Sequence, residues 1–215
     1  MASEDPSSTA SLLDRLPDEL WLEILSHLDY FDLHRTRRVC KRMDGWIKQP
    51  SLDYALFRSP PSPSPLKKGT TVSLHPLFHR IESFDSKPIF ASLAAHKGQH
   101  NLLKFPALLA EYATRPACTK MTLIMELDEE EVWLKNDAGI TVKQFLEELH
   151  KHWCAVARWV AEEGEEDEEV DLSAVKWKGW EDVKVEKDGE VIASLDTTSF
   201  DGPDGDDAAA AAEDW

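Results

Sequence analysis

Leu16-Pro17-Asp18-Glu19-Leu20-Trp21-Leu22-Glu23-Ile24-Leu25-Ser26-His27-Leu28-Asp29 decides the fold of the N-terminal part of this chain. Its apolar residues Leu16, Leu20, Trp21, Ile24, Leu25 and Leu28 recur at i, i+4, i+5, i+8, i+9 and i+12, the stripe of an amphipathic helix. Pro17 suits the first helical turn, where a missing N–H costs nothing. Asp18 and Glu19 sit where the positive end of the helix dipole favours acids. After a short break at Asp29–Asp32, a second helix is expected to turn Leu33, Val39 and Cys40 inward. A third is expected to bury Met43, Trp46, Ile47, Leu52 and Leu56. Three short helices cannot bury this many large side chains by themselves. The stripe therefore implies a partner or an adjoining domain.

Beyond that stretch, the chain has 215 residues, 42% hydrophobic and 30% charged, with 24 Lys and Arg against 41 Asp and Glu and a net charge of −17. The length fits one large domain or two small ones. Chains of this size hide roughly 70% of their unfolded surface, and the hydrophobic content excludes a wholly disordered protein. No apolar run approaches the ~18 residues of a membrane span. Met1–Ala10 is acidic and polar, so neither a signal peptide nor a transit peptide is expected there. Cys40, Cys118 and Cys154 are an odd, widely spaced set that makes no disulfide framework. A reducing compartment, cytoplasm or nucleus, is the expected location.

The negative charge is concentrated. Glu162–Asp171 holds eight acids and no base, and Asp201–Trp215 holds six acids and no base. Together they carry 14 of the 17 excess negatives, which leaves the folded body near neutral. Such runs are solvated segments, and their sign weighs against nucleic-acid binding. The local exception is Arg35, Arg37, Arg38, Lys41 and Arg42. These bases read as the solvated face of a helix rather than as phosphate contacts. A DNA-reading helix-turn-helix would need a tight Gly-containing turn that is missing here.

The expected layout is a disordered tail at 1–10, a helical block at 11–58 with eight acids and eight bases, and a Pro/Ser linker at 59–70. Four prolines in the seven residues 59–65 make that linker extended and semi-rigid. A small mixed α/β domain is expected at 71–200, with an acidic loop at 162–171, followed by a disordered acidic tail at 201–215. The fold class is α+β.

Within 71–200, residues 119–127 alternate polar and apolar side chains from Met121 on, a strand pattern, and Val132-Trp133-Leu134 reads as a second strand. Asn136-Asp137-Ala138-Gly139 reads as the next turn. Thr141 then caps a helix whose inner stripe is Val142, Phe145, Leu146, Leu149, Trp153, Val156 and Val160. Lys187-Asp188-Gly189 between Val183-x-Val185 and Val191-Ile192 signals a hairpin.

The N-terminal pattern resembles an F-box: Leu16-Pro17-Asp18-Glu19-Leu20, Ile24-Leu25-Ser26-His27-Leu28-Asp29, Leu33, Val39-Cys40-Lys41-Arg42 and Pro50-Ser51-Leu52, in that order and spacing. The resemblance implies three helices that dock on the Skp adaptor of a cullin–RING ubiquitin ligase. It places Leu16, Pro17, Leu20, Ile24, Leu25, Leu28, Leu33 and Val39 against the adaptor or in the small core behind it. Met43 stands where such motifs usually have Trp, Asp53-Tyr54 where a Trp often follows Ser-Leu, and Thr36 where an aliphatic residue is common. Trp46 is available to fill the lost volume. His75-Pro76-Leu77, Pro116-Ala117 and Asn136-Asp137-Ala138-Gly139-Ile140-Thr141-Val142 resemble an uncharacterised domain of fungal proteins, with no activity to carry over.

Residues that could carry chemistry form no recognisable set. His75/His79 and His96/His100 have i, i+4 spacing without further zinc ligands, and His150, His152 and Cys154 point apart on a helix. Cys118 and Cys154 lack a nucleophile signature. No phosphate-binding glycine loop and no nucleophile elbow occurs. The Glu162–Asp171 run lacks the glycine-centred spacing of a calcium loop. No catalytic residue, cofactor or metal is therefore expected. Ser59, Ser62 and Ser64 each precede proline, and Ser64-Pro65-Leu66-Lys67 resembles a proline-directed kinase site.

The expected function is that of a non-catalytic substrate receptor in an Skp–cullin–F-box ubiquitin ligase, which holds a protein target through its C-terminal domain. Neither membrane nor nucleic acid is an expected partner. Two other readings are an interaction module that binds basic partners through its acidic segments, and an enzyme in the C-terminal block whose turnover the F-box controls.

Overall fold

The carbonyl of Pro17 accepts hydrogen bonds from the N–H groups of Leu20 and Trp21 at 3.2 and 3.3 Å, and this starts α1 (Asp18–Ser26). Pro17 is thus the residue before the helix, one position earlier than its sequence suggests, and its extended ψ of 151° fits that place. The computed structural model describes residues 16–84, 90–93, 96–125, 131–163, 179–186 and 188–196. Both tails, residues 126–127 and most of the acidic run at 162–171 lie outside them. The chain divides into two compact units, Met1–Arg58 and Ser59–Trp215.

In the first unit, α1 is followed by α2 (Tyr30–Thr36), α3 (Lys41–Ile47) and a 3₁₀ turn at Pro50–Leu52. The expected break at Asp29–Asp32 is in fact the start of α2. Asp29 is its N-cap, with the carboxylate accepting from the Asp32 N–H at 2.8 Å. The core consists of Leu25, Tyr30, Leu33, Met43, Trp46, Ile47, Leu52, Leu56 and Phe57. Every large residue assigned to the third helix and its continuation is therefore buried.

Among its described residues the second unit holds three sheets: β1 (Ser73–Leu74) with β5 (Thr114–Arg115); β2 (Ile81–Phe84), β3 (Phe90–Leu93) and β4 (His96–Asn101); and β7 (Glu131–Lys135), β6 (Lys120–Met125), β9 (Val191–Asp196) and β8 (Gly179–Val185) in that order. All pairs are antiparallel except β6 with β9. A parallel pair needs a long crossover, and here it contains α5 (Val142–Glu163). A short α4 (Pro106–Leu109) precedes β5. With helices gathered beside mainly antiparallel strands, the chain is α+β.

The first turn of α5 explains its position. Thr141 Oγ1 accepts from the Gln144 N–H at 3.3 Å, and Gln144 Oε1 accepts from the Thr141 N–H at 3.2 Å, a reciprocal cap. Val142, Phe145, Leu146 and Leu149 then enter the core. Phe145 stacks on Phe78 with centroids 3.9 Å apart and meets Trp180 at 5.3 Å. Trp153, Val156 and Val160 fall beyond the described side chains.

Just before this cap, Gly139 adopts φ +99°, and a Cβ there would lie 2.5 Å from Cε1 of Tyr112. Left-handed backbone costs an L-residue roughly 1–2 kcal/mol before any clash is counted. Gly139→Ala is expected to lower the second unit's stability by at least ~2 kcal/mol, read as a downshift of one calorimetric transition of the full chain. An unchanged transition would show that the turn tolerates a side chain.

Candidate functional site

The face at issue is the outer side of α1. The eight residues assigned to adaptor docking divide by depth. Leu25 and Leu33 are core residues. Leu16 and Leu28 are half-buried, whereas Pro17, Leu20, Ile24 and Val39 face solvent. Leu20 is 43% exposed and Ile24 45%, one turn apart on one helix. Trp21 and Leu22 pack against the core from the same helix, and Leu28 does so from just beyond its end. The stripe is wider than its own core can use.

Val39 corrects the sequence reading. It was assigned inward on the second helix, yet it is 71% exposed. The reason is that α2 ends at Thr36 and the chain turns, with the Val39 N–H bonding the Thr36 carbonyl at 3.0 Å. Cys40, also assigned inward, is half-buried at the N-cap of α3.

One clamp fixes α1 on α3. Trp21 stacks on Trp46 with centroids 5.4 Å apart. The Arg42 guanidinium lies 4.8 Å above the Trp46 ring and donates to Asp18 Oδ1 at 2.8 Å. Hydrogen bonds from Arg42 and from Trp46 hold the Asp18 carboxyl below its usual range. Other bases of the cluster are also engaged: Arg35 with Asp32 at 2.8 Å and Arg37 with Asp44 at 3.1 Å. Lys48 and then Arg37 hold the Asp44 carboxyl below its usual range. Much of the basic run thus serves intramolecular pairing. Met43 is buried where a Trp is usual, and Trp46 supplies the indole.

Sequence reasoning missed Tyr30 and Phe57, two buried aromatics that meet edge to face at 6.0 Å. Recognising Asp29 as a cap would have placed Tyr30. Phe57 has φ +56°, which no local pattern announces.

The histidines and cysteines of the second unit have structural surroundings. His75 is buried; its Nδ1 accepts from the Leu77 N–H at 3.2 Å, and its Nε2 lies 3.2 Å from Glu111 Oε2. An Nδ1 that accepts is unprotonated, so Nε2 carries the hydrogen and donates to Glu111. Burial pushes the His75 pKa down, opposed by Glu111. His79 is exposed and does not join it. His150 and His152 are buried on α5, while the side chains of His96, His100 and Cys154 fall outside the description. Burial pushes the Cys118 thiol up to about 11, away from a thiolate at neutral pH. Among the described residues no three His, Cys, Asp or Glu gather as a metal site. Among them, too, no helix is long and apolar enough to cross a membrane.

Residues 13–53 match the F-box domain family model, and the chain carries an F-box domain there. No curated protein and no solved structure matches the chain. F-box domains typically bind the Skp adaptor of cullin–RING ligases and are typically non-catalytic. The domain therefore indicates a role in substrate recognition by ligases of that type.

Two measurements check the assignments in the second unit. Cys118 is expected to resist iodoacetamide at pH 8 in the folded chain and to react readily in urea, read by peptide mass spectrometry. Rapid native labelling would contradict its burial. For His75, the folded pKa lies below the unfolded value of about 6.5, so the unfolded chain takes up the proton first as pH falls. The resulting stability is full above about pH 6.5 and is lost toward the lower folded pKa. The second unit's urea midpoint should fall between pH 7 and 5, and His75→Gln should make that fall smaller. An identical pH slope in the variant would show that His75 is not the group responsible.

Proposed function

We propose that this chain is a non-catalytic substrate receptor of an Skp–cullin–F-box ligase that docks through residues 16–52 and presents a protein target through the domain at 71–200. The observation that supports it is the exposure of Leu20 and Ile24 on a helix whose Leu25 is buried, inside the stretch that matches the F-box. Each of these large aliphatic side chains keeps somewhat under half of its surface in water, so a partner that covers it gains about 0.7–1.3 kcal/mol per residue. Pro17 and Val39 add further apolar surface from the same unit.

The mechanism is proximity. One unit is held on the ligase while the other holds the target near the ubiquitin-loaded conjugating enzyme. Target lysines then meet the thioester at a high effective concentration, without a reactive group from this chain. Such a receptor works in the cytoplasm or the nucleus.

The test is co-expression of the full chain with an Skp-type adaptor, followed by size exclusion and titration. A one-to-one complex is expected. Leu20→Ala with Ile24→Ala should weaken it at least about tenfold, since truncated interface anchors cost more than 1 kcal/mol each. Circular dichroism should be unchanged, because neither residue lies in the core. A double variant that binds with full affinity would move docking to another face. A folded wild-type chain that forms no complex would overturn the receptor reading.

A further inference from the structure

Ser59-Pro60-Pro61-Ser62-Pro63-Ser64-Pro65-Leu66-Lys67-Lys68 takes no part in the docking face. Its three serines each precede a proline, but they are not equivalent. Ser64 has a base three positions on, Lys67, whereas Ser62 has Pro65 there and Ser59 has Ser62. Ser59 is half-buried. The Ser62 hydroxyl oxygen accepts the Ser64 N–H at 3.2 Å. Ser64 is exposed, and no helix or strand includes residues 59–67.

The backbone beyond Ser64 is anchored in the second unit. Leu66 packs against that unit's core. Pro65 and Leu66 lie against Gly189, where a Cβ would come within 2.7 Å of Pro65 Cβ and 2.8 Å of the Leu66 nitrogen. Lys68 Nζ reaches Glu186 Oε2 at 3.4 Å. An exposed hydroxyl thus stands on a non-helical segment, followed by a proline with no N–H to satisfy and then by a cation.

We propose that Ser64 is a phosphorylation site for a proline-directed kinase that also reads Lys67. Ser64 Oγ attacks the γ-phosphorus of ATP. The new O–P bond forms as the bond to the β,γ-bridging oxygen breaks, ADP leaves with that bond's electrons, and the hydroxyl proton passes to the kinase's base. The product places about −1.5 to −2 charges at neutral pH in a groove of ≈ 340 Å³ whose charged lining residues are Lys120, Asp137 and Asp188. This inference does not depend on adaptor docking.

The test treats the full chain with a cyclin-dependent kinase and Mg-ATP and reads sites by mass spectrometry. A synthetic peptide spanning 59–68 serves as the positive control. One phosphate is expected at Ser64. Ser64→Ala should abolish it, Ser62→Ala should leave it, and Lys67→Ala should slow it about tenfold or more. Phosphate at Ser59 or Ser62 instead, or a Lys67→Ala rate equal to wild type, overturns the assignment. A peptide that is phosphorylated while the folded chain is not also overturns it, because the anchored segment would then hide the hydroxyl.

Discussion

The contact between Trp21 and Trp46 is the constraint on which the first unit depends. α1 is nine residues long, too short to be stable alone in water. It persists because one indole lies flat on another, Arg42 covers the second ring, and Asp18 holds Arg42. The clamp uses the helix's first turn and the Trp21 side, so its rotation about its own axis is set there. Once that rotation is set, Leu25 must point into the core and Leu20 and Ile24 must point out of it. The exposure of Leu20 and Ile24 is therefore a geometric consequence of how α1 is held.

The second unit depends on backbone pairing around residues 111–118. The His75 N–H bonds the Ala113 carbonyl and the Ala113 N–H bonds the Ile140 carbonyl, both at 2.8 Å. The Ile140 N–H bonds the Cys118 carbonyl at 3.0 Å, and the Val142 N–H bonds the Glu111 carbonyl at 2.8 Å. One segment thus ties the start of the domain to the entry of α5. The buried His75–Glu111 pair crosses the same junction. A neutral imidazole donating to a carboxylate satisfies both groups there without burying a second charge. That is a structural use of residues whose types suggest chemistry.

Much of this was legible in local pattern. The α1 stripe, the burial of Met43 to Leu56, the Thr141 cap, the turn at Asn136–Gly139 and the hairpin whose turn includes Asp188 and Gly189 each rest on residues close in sequence, where short-range physics decides. What was not legible rests on distant partners. The parallel pairing of β6 with β9 joins segments about 70 residues apart, and no local signal specifies it. The packing of Pro65 and Leu66 on Gly189 is equally remote. Val39 differs for another reason: the inward reading extends α2 past Thr36, but the helix ends there and its regular rotation of about 100° per residue no longer fixes which way Val39 points. The split within the α1 stripe needed the position of Trp46, which periodicity alone does not give.

The charge distribution separates the F-box block from the rest of the chain. Fourteen of the 17 excess negatives lie in two stretches, almost entirely outside the described fold. The F-box block has equal numbers of acids and bases, and several bases are neutralised by neighbours within it. The apolar surface exposed on that block therefore stands among charges that nearly cancel, so burial rather than charge governs what that surface can gain. The acidic stretches instead repel other acidic surfaces and steer basic ones at long range. The exposed pair Leu20 and Ile24 and the acidic stretches thus draw on different forces, apolar burial for one and long-range charge for the other.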